Sequence, residues 1–237
     1  MKLQFQGERV LAVVAHPDDA DLLCAGTLLR AREDGAAIGV CYLCQGEKGQ
    51  PPVPVPDLPG MRRREATNSA EMIGAELFTG IFLDMALADT EASRAFLVNV
   101  YRTFRPTLVL AHPENDYHTD HRAVGAIAEV ATWMSAAKGL ITEGLAPLPS
   151  PPALWWLDTL GMTGFDPTLF IDISAYAELK ERLLLSHVSQ LSRGKDGDAH
   201  PFRDLVREQM QVRGREAGVV AAEAFRPYNT YKRTRAW

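Results

Sequence analysis

The chain has 237 residues, 46% hydrophobic and 23% charged, with a formal net charge of −5. That length and balance suit one large α/β domain with a well-buried core and exclude a disordered or highly charged chain. The mild, dispersed acidity offers no surface for nucleic acid or an anionic membrane, and no apolar run approaches the roughly 18 residues of a membrane helix.

Taken in order, Met1 to Arg9 has no apolar core and no cleavage signal, so the cytoplasm is the expected location. Val10–Val14 reads as a strand, and a helical stretch from about Leu22 to Asp34 stops at Gly35. Next come a strand over Ile38–Leu43, a loop over Gln45–Gly60, and a helix near Met61–Gly74. The loop holds five prolines between Pro51 and Pro59 and is a candidate lid or substrate wall. Leu77–Leu83 is strand-like, a helix around Ala92–Phe104 is stopped by Pro106, and strand Leu108–Ala111 precedes a helix from about Asp120 to Met134. Leu140–Pro152 reads as a loop, Leu154–Leu157 and Leu169–Ile173 as strands, and Ala175–Ser189 as a helix. Ser192–Ala199 reads as a loop and Phe202–Ala222 as a final long helix. This alternation predicts a single domain over 1–237: an α/β fold with a mostly parallel sheet and helices on both faces.

Cys24, Cys41 and Cys44 are too few, and odd in number, for a disulfide framework. Cys41 and Cys44 have CxxC spacing, yet on a strand residues three apart point to opposite faces, so buried, unreactive thiols are expected.

The chemistry concentrates at two strand ends. Ala15-His16-Pro17-Asp18-Asp19 closes the first strand, and His112-Pro113-Glu114-Asn115-Asp116-Tyr117-His118-Thr119-Asp120-His121 follows Leu108–Ala111. Catalytic zinc takes three protein ligands from His and Asp or Glu and keeps one position for water. His16, Asp19 and His121 supply such a set. Neighbouring side chains in a turn diverge, so Asp18 is free to act as general base on the water. His118, one turn before His121, is placed to stabilise an oxyanion and to pass a proton to a leaving amine, with Asp120 raising its pKa and orienting it. Asp21 reads as a helix N-cap in preference to a residue that orients a ligand. A His₂Asp set suits Zn²⁺, with Fe²⁺, Co²⁺ and Mn²⁺ also compatible.

These residues resemble the LmbE-like (PIG-L) zinc deacetylases. The first motif is similar to the family's AHPDD segment, and Gly26-Thr27-Leu28 to the start of its first helix. Gln45-Gly46-Glu47-Lys48-Gly49 resembles its (D/N)GEKG loop, Arg62 with Glu65-Ala66 its Arg-x-x-Glu-Ala helix start, and Asn115–His121 its second metal motif. Phe165–Asp172 and His187-Val188-Ser189-Gln190 resemble later segments, so the likeness runs from about residue 9 to 225. It implies a three-layer Rossmann-like fold and removal of acetyl from an N-acetylglucosamine-type sugar. It also implies zinc on His16, Asp19 and His121, Asp18 as base, His118 and Asp120 at the intermediate, and Arg62 touching substrate. Cys24-Ala25, Cys44 and the Pro51–Pro59 stretch depart from the pattern around the mouth of the site and leave the sugar open.

The expected partner is a small amino-sugar substrate, with neither nucleic acid nor membrane, and a homo-oligomer is compatible. Two other reactions suit the same metal site: hydrolysis of another amide, such as a thiol conjugate, and hydration of an unsaturated dicarboxylic acid. The second needs extra cations for two carboxylates, which Arg62, Arg63 and Arg64 keep open.

Overall fold

Strand β1 (Arg9–Val14) is apolar on both sides in the computed structural model, which describes residues 4–191 and 202–230. Val10, Ala12 and Val14 enter one hydrophobic cluster, while Leu11 and Val13 enter another. Side chains alternate along a strand, so such a sequence is stable only where helices cover both faces of the sheet. Helices α1 (Asp19–Leu23), α2 (Ala25–Glu33), α3 (Leu58–Ile73), α6 (Ala177–Leu185) and α8 (Phe202–Ala217) supply the first cluster. Helices α4 (Glu91–Phe104) and α5 (Thr119–Ala136) supply the second.

The other strands are β2 (Ala37–Cys44), β3 (Glu76–Phe82), β4 (Leu108–Ala111), β5 (Ala153–Leu157), β6 (Leu169–Asp172) and β7 (Ala222–Pro227). They form one seven-stranded sheet in the order β3-β2-β1-β4-β5-β7-β6. β1 to β5 pair in parallel, and β7 runs antiparallel to both β5 and β6. The order reverses between β1 and β4, and a crevice opens at the carboxyl ends of strands at such a switch point. Both candidate metal motifs leave the sheet there. No helix of the described residues is long and apolar enough to cross a membrane.

Several boundaries differ from those expected. The first helical stretch breaks at Cys24 (φ −146°, ψ 11°) into α1 and α2. Helix α3 begins at Leu58 because the Asp57 carboxylate accepts the Gly60 N–H at 3.0 Å as an N-cap. The expected helix over Ala175–Ser189 is a 3-10 turn (Ser174–Tyr176), α6 and the short α7 (Val188–Leu191). The last helix ends at Ala217, and the Ala-rich run beyond it is strand β7. The predicted loop Ser192–Ala199 lies outside the described residues. All three cysteines are free and fully buried, and burial pushes each thiol above its ordinary pKa. A register irregularity between Tyr42 and Cys44, however, turns Cys44 into the same core layer as Cys41 instead of the opposite one.

Strand β7 also fastens the helix that follows the first motif. Helix α2 has no side-chain cap from its own N-cap residue. The Glu223 carboxylate accepts the Gly26 and Thr27 N–H groups instead, at 2.9 and 2.7 Å, and the Lys180 Nζ at 2.6 Å. A carboxylate at a helix N-terminus satisfies orphan donors and complements the helix dipole. Lys180 and Glu223 are both buried, so Lys180→Met removes one partner of an enclosed pair and is expected to cost about 3–5 kcal/mol. Denaturant unfolding checks this, and a loss below about 1 kcal/mol would mean that the two backbone donors alone satisfy Glu223.

Candidate metal centre

After β1 the backbone turns sharply: the His16 N–H donates to Asp19 Oδ2 at 2.7 Å, and the Asp19 N–H reaches back to the His16 carbonyl at 3.3 Å. This turn brings the Asp19 carboxylate under the imidazole, with His16 Nδ1 at 3.2 Å from Oδ2. The second motif meets it from β4. His121, in the first turn of α5, places Nε2 at 3.4 Å from the same oxygen, and the fully buried His112 places Nε2 at 3.3 Å. Ligand atoms of His16, Asp19 and His121 all lie within 4.8 Å of one another.

The hydrogen bonds around these rings select their tautomers. His121 Nδ1 lies 3.0 Å from Asp116 Oδ1, so the neutral ring carries its proton on Nδ1 and turns the Nε2 lone pair toward Asp19. His112 Nε2 accepts the Ala15 N–H at 3.2 Å, so as a neutral ring it has no proton to offer Asp19. Burial pushes its pKa down to about 4, with His121 adding to the effect. The neighbours behave oppositely. Burial opposes charge on His16 and His121, yet Asp19, with Asp120 and Asp116, overrides it and raises them to about 10 and about 9. Burial works against the Asp19 anion as well, but His121 and His16 hold it well below the usual carboxylate range. A carboxylate enclosed by imidazoles that favours positive charge beside it fits a divalent cation, and its N, N, O donors are those zinc accepts.

A cleft of about 120 Å³ opens onto this group and is lined by Asp18, Arg62, Lys48, Tyr117 and His118, among others. Asp18 Oδ1 accepts Arg62 Nη2 at 2.5 Å, and both residues are buried. Arg62 also donates to the Gly46 carbonyl. Gly46 has φ +79°, and a Cβ there would meet the guanidinium at 2.5 Å, so only glycine permits this approach. Asp84 accepts the Gly46 and Lys48 N–H groups, Gln190 donates to the Gly49 carbonyl, and Glu65 accepts both the backbone N–H and the hydroxyl of Ser189. The motif residues Glu65, Ser189 and Gln190 therefore hold the 46–49 loop against the cleft.

Asp21 is not a cap. Its Oδ2 takes the Ser69 hydroxyl at 2.7 Å and meets His187 Nε2 at 2.6 Å, joining α1 to α3 and to the start of α7. Asp120 stands between two histidines. Its Oδ2 accepts the Met85 N–H at 2.7 Å and lies 3.3 Å from His16 Nε2, but 3.9 Å from His118 Nδ1. His118 Nδ1 instead accepts the Asp120 backbone N–H at 3.2 Å as the cap of α5. Burial, with His16 and His121 nearby, moves the His118 pKa down, while Asp120 and Asp19 act in the opposite direction. This describes a neutral ring whose proton sits on Nε2. Sequence reasoning gave His112 and Asp116 no role; Asp116 was legible as a carboxylate one helical turn and a residue ahead of His121.

A family model, PIG-L: GlcNAc-PI de-N-acetylase, matches residues 11–132. The chain belongs to the PIG-L family. The matched stretch runs from β1 into α5 and so contains both metal motifs. Among PIG-L relatives, the 1D-myo-inositol 2-acetamido-2-deoxy-alpha-D-glucopyranoside deacetylase of Rhodococcus opacus is 26% identical, over 86% of this chain and 89% of its own. The diacetylchitobiose deacetylase of Thermococcus kodakarensis is 28% identical, over 77% and 70%. The crystal structure of a conserved protein from Thermus thermophilus, TT1542, superposes with a TM-score of 0.80 at 29% identity, covering 97% of this chain and all of that one (100%). The matches also include a 4-oxalmesaconate hydratase of Pseudomonas putida, 28% identical over 54% of this chain and 53% of its own.

Proposed function

We propose that this protein is a zinc-dependent N-deacetylase that hydrolyses the acetamide of an N-acetylglucosamine-type sugar or sugar conjugate, with 1–237 as one catalytic domain. The observation that carries the reading is the meeting of His16, Asp19 and His121 at the floor of a cleft that Asp18 and His118 also line. The deacetylase names of the PIG-L relatives support it. His16, Asp19 and His121 would hold a divalent cation, which would supply Lewis acidity for a carbonyl and bring the pKa of a water toward about 7. Asp18 uses Oδ1 for Arg62, and its Oδ2, which accepts no hydrogen bond from the described residues, takes the proton the water gives up. His118 donates its Nε2 proton as a hydrogen bond to the acetamide oxygen as that oxygen gains charge. The proton held on Asp18 is the one the departing amine nitrogen takes. Asp120 orients His16 and Met85, and Arg62 holds Asp18 in place while lining the route of the substrate.

His118→Ala is expected to lower kcat by ~10²–10³, the worth of one donor at a developing oxyanion. A rise in KM with kcat unchanged would assign His118 to binding alone.

The hydratase reading draws on hydratases among the matches and needs cations for two carboxylates. Among the arginines of the run, Arg62 is engaged by Asp18 and Arg64 lies 4.0 Å from Asp57 at the surface. Among the described residues, the other Lys or Arg lining the cleft is Lys48, and it stands 3.4 Å from Glu47. This supports the deacetylase.

The test is metal analysis of the purified protein with acetate release from N-acetylglucosamine, its disaccharides and its polyol conjugates. Bound zinc with chelator-sensitive acetate release supports the reading. Bound metal, no acetate and consumption of an unsaturated dicarboxylic acid would replace it with the hydratase. Iron, cobalt or manganese in place of zinc would correct the cation and leave the reaction. Absence of any bound metal, with no gain on adding one, would overturn the whole assignment.

A further inference from the structure

The end of β2 carries a side chain that the proposed reaction does not use. Cys44 is fully buried, and its backbone N–H donates to the Ala15 carbonyl at 2.8 Å, next to the turn that bears His16. The irregular register places its sulfur so that Cys44, His16 and Asp120 offer ligand atoms within 4.8 Å of one another. His16 faces two carboxylates through different atoms: Nδ1 lies 3.2 Å from Asp19 Oδ2, and Nε2 lies 3.3 Å from Asp120 Oδ2. Asp120 is fully buried, and its Oδ1 has no hydrogen-bond partner among the described residues. A buried carboxylate oxygen without a donor is costly unless a cation satisfies it.

We propose that His16 Nε2, Cys44 Sγ and Asp120 form a second cation site, selective for thiophilic ions such as Cd²⁺, that competes with the catalytic cation for His16. Ligands at zinc-like bond lengths stand roughly 3.5 Å apart around a tetrahedral ion, so donors within 4.8 Å close on one by small side-chain rotations. Sulfur in the set favours soft ions, whereas the catalytic set of two imidazoles and a carboxylate has no such preference. As the metal–sulfur bond forms, the Cys44 thiol proton leaves to solvent. The single ring proton of His16 then resides on Nδ1, where Asp19 Oδ2 accepts it. A neutral imidazole has only one nitrogen lone pair to give, so His16 serves one site or the other. The antagonism rests on the reading of His16 as a ligand of the catalytic cation; the site itself does not.

The experiment is a Cd²⁺ titration of the metal-free, full-length protein, following the thiolate-to-cadmium charge-transfer band in the ultraviolet. The wild type is expected to develop the band with one equivalent. Cys44→Ser and Cys44→Ala should lack it, with Cd²⁺ affinity at least about tenfold weaker, although Cys24 and Cys41 remain. His121→Ala should keep the band, because His121 belongs to the catalytic set alone. In the zinc-loaded protein, the Cd²⁺ concentration that halves acetate release should rise by the same factor in Cys44→Ser. No band in the wild type, a band that survives both Cys44 variants, or a band lost in His121→Ala would each overturn the proposal. A band that behaves as expected in a protein that releases no acetate would leave this site standing and overturn the deacetylase reading.

Discussion

Asp18→Ala is expected to abolish acetamide turnover in a protein that still carries its metal. Asp18 is next to Asp19, the proposed ligand, yet is aimed elsewhere, with one oxygen held by Arg62 at 2.5 Å and the other without a donor among the described residues. A positioned base contributes typically 10²–10⁴-fold, so its loss leaves activity near background. The Ala variant carries a second penalty. Arg62 is only 3% exposed, and stripping it of its carboxylate leaves a buried guanidinium, at a cost of about 3–5 kcal/mol. Asp18→Asn keeps the shape and an acceptor oxygen for Arg62, so it should be as inactive as the Ala variant and markedly more stable. Turnover, metal content and thermal unfolding of both variants separate these effects. Normal turnover in either variant would remove Asp18 as the base, and loss of metal from the Asn variant would move it into the ligand set.

His121→Ala should fail at the earlier step, losing the metal and with it the activity. As a neutral ring its Nε2 lone pair faces the Asp19 carboxylate because Asp116 holds the opposite nitrogen at 3.0 Å, and no other described residue can take that place. His112 stacks against His121 with ring centroids 3.8 Å apart, but its Nε2 is engaged by the Ala15 N–H. Asp116→Ala provides the graded comparison. Loss of a carboxylate that orients a ligand typically weakens metal binding by 10–100-fold, so this variant should bind metal poorly while His121→Ala binds less still. Metal content after dialysis, measured for both, orders them. An unchanged content in His121→Ala would exclude it as a ligand.

The two candidate metal motifs stand out in the sequence because each is a polar turn that interrupts an apolar strand, and β1 and β4 prove to be neighbours in the sheet. Their convergence follows from topology, which alternating strands and helices already imply. What the sequence hid are facts of tertiary contact. Ala222–Pro227 has the composition of a helix end, yet pairing with β5 and β6 makes it a strand. Asp21 stands where a cap is expected, and only the fold brings His187 to it from 166 residues away. The Cys44 face cannot be counted from period-two spacing because the ladder slips between Tyr42 and Cys44. Arg62 reads as one charge among three until its distance to Asp18 distinguishes it. The sequence pairs Asp120 with His118 alone, whereas in space its carboxylate lies 3.9 Å from His118 and nearer still, 3.3 Å, to His16.

The bonds from Glu223 to Gly26 and Thr27 have a temporal consequence. They join residues 197 and 196 positions apart, so the donors at the head of α2 acquire their acceptor only after the long intervening stretch of chain has been synthesised. Both metal motifs emerge much earlier, and a nascent chain already displays its histidines and carboxylates while the helix behind the first motif lacks its anchor. Contacts this distant in sequence are slow to form because the intervening loop must close first. Rigid preorganisation of the centre therefore comes well after synthesis of its donors, and a cation that arrives before it meets an unfinished cradle.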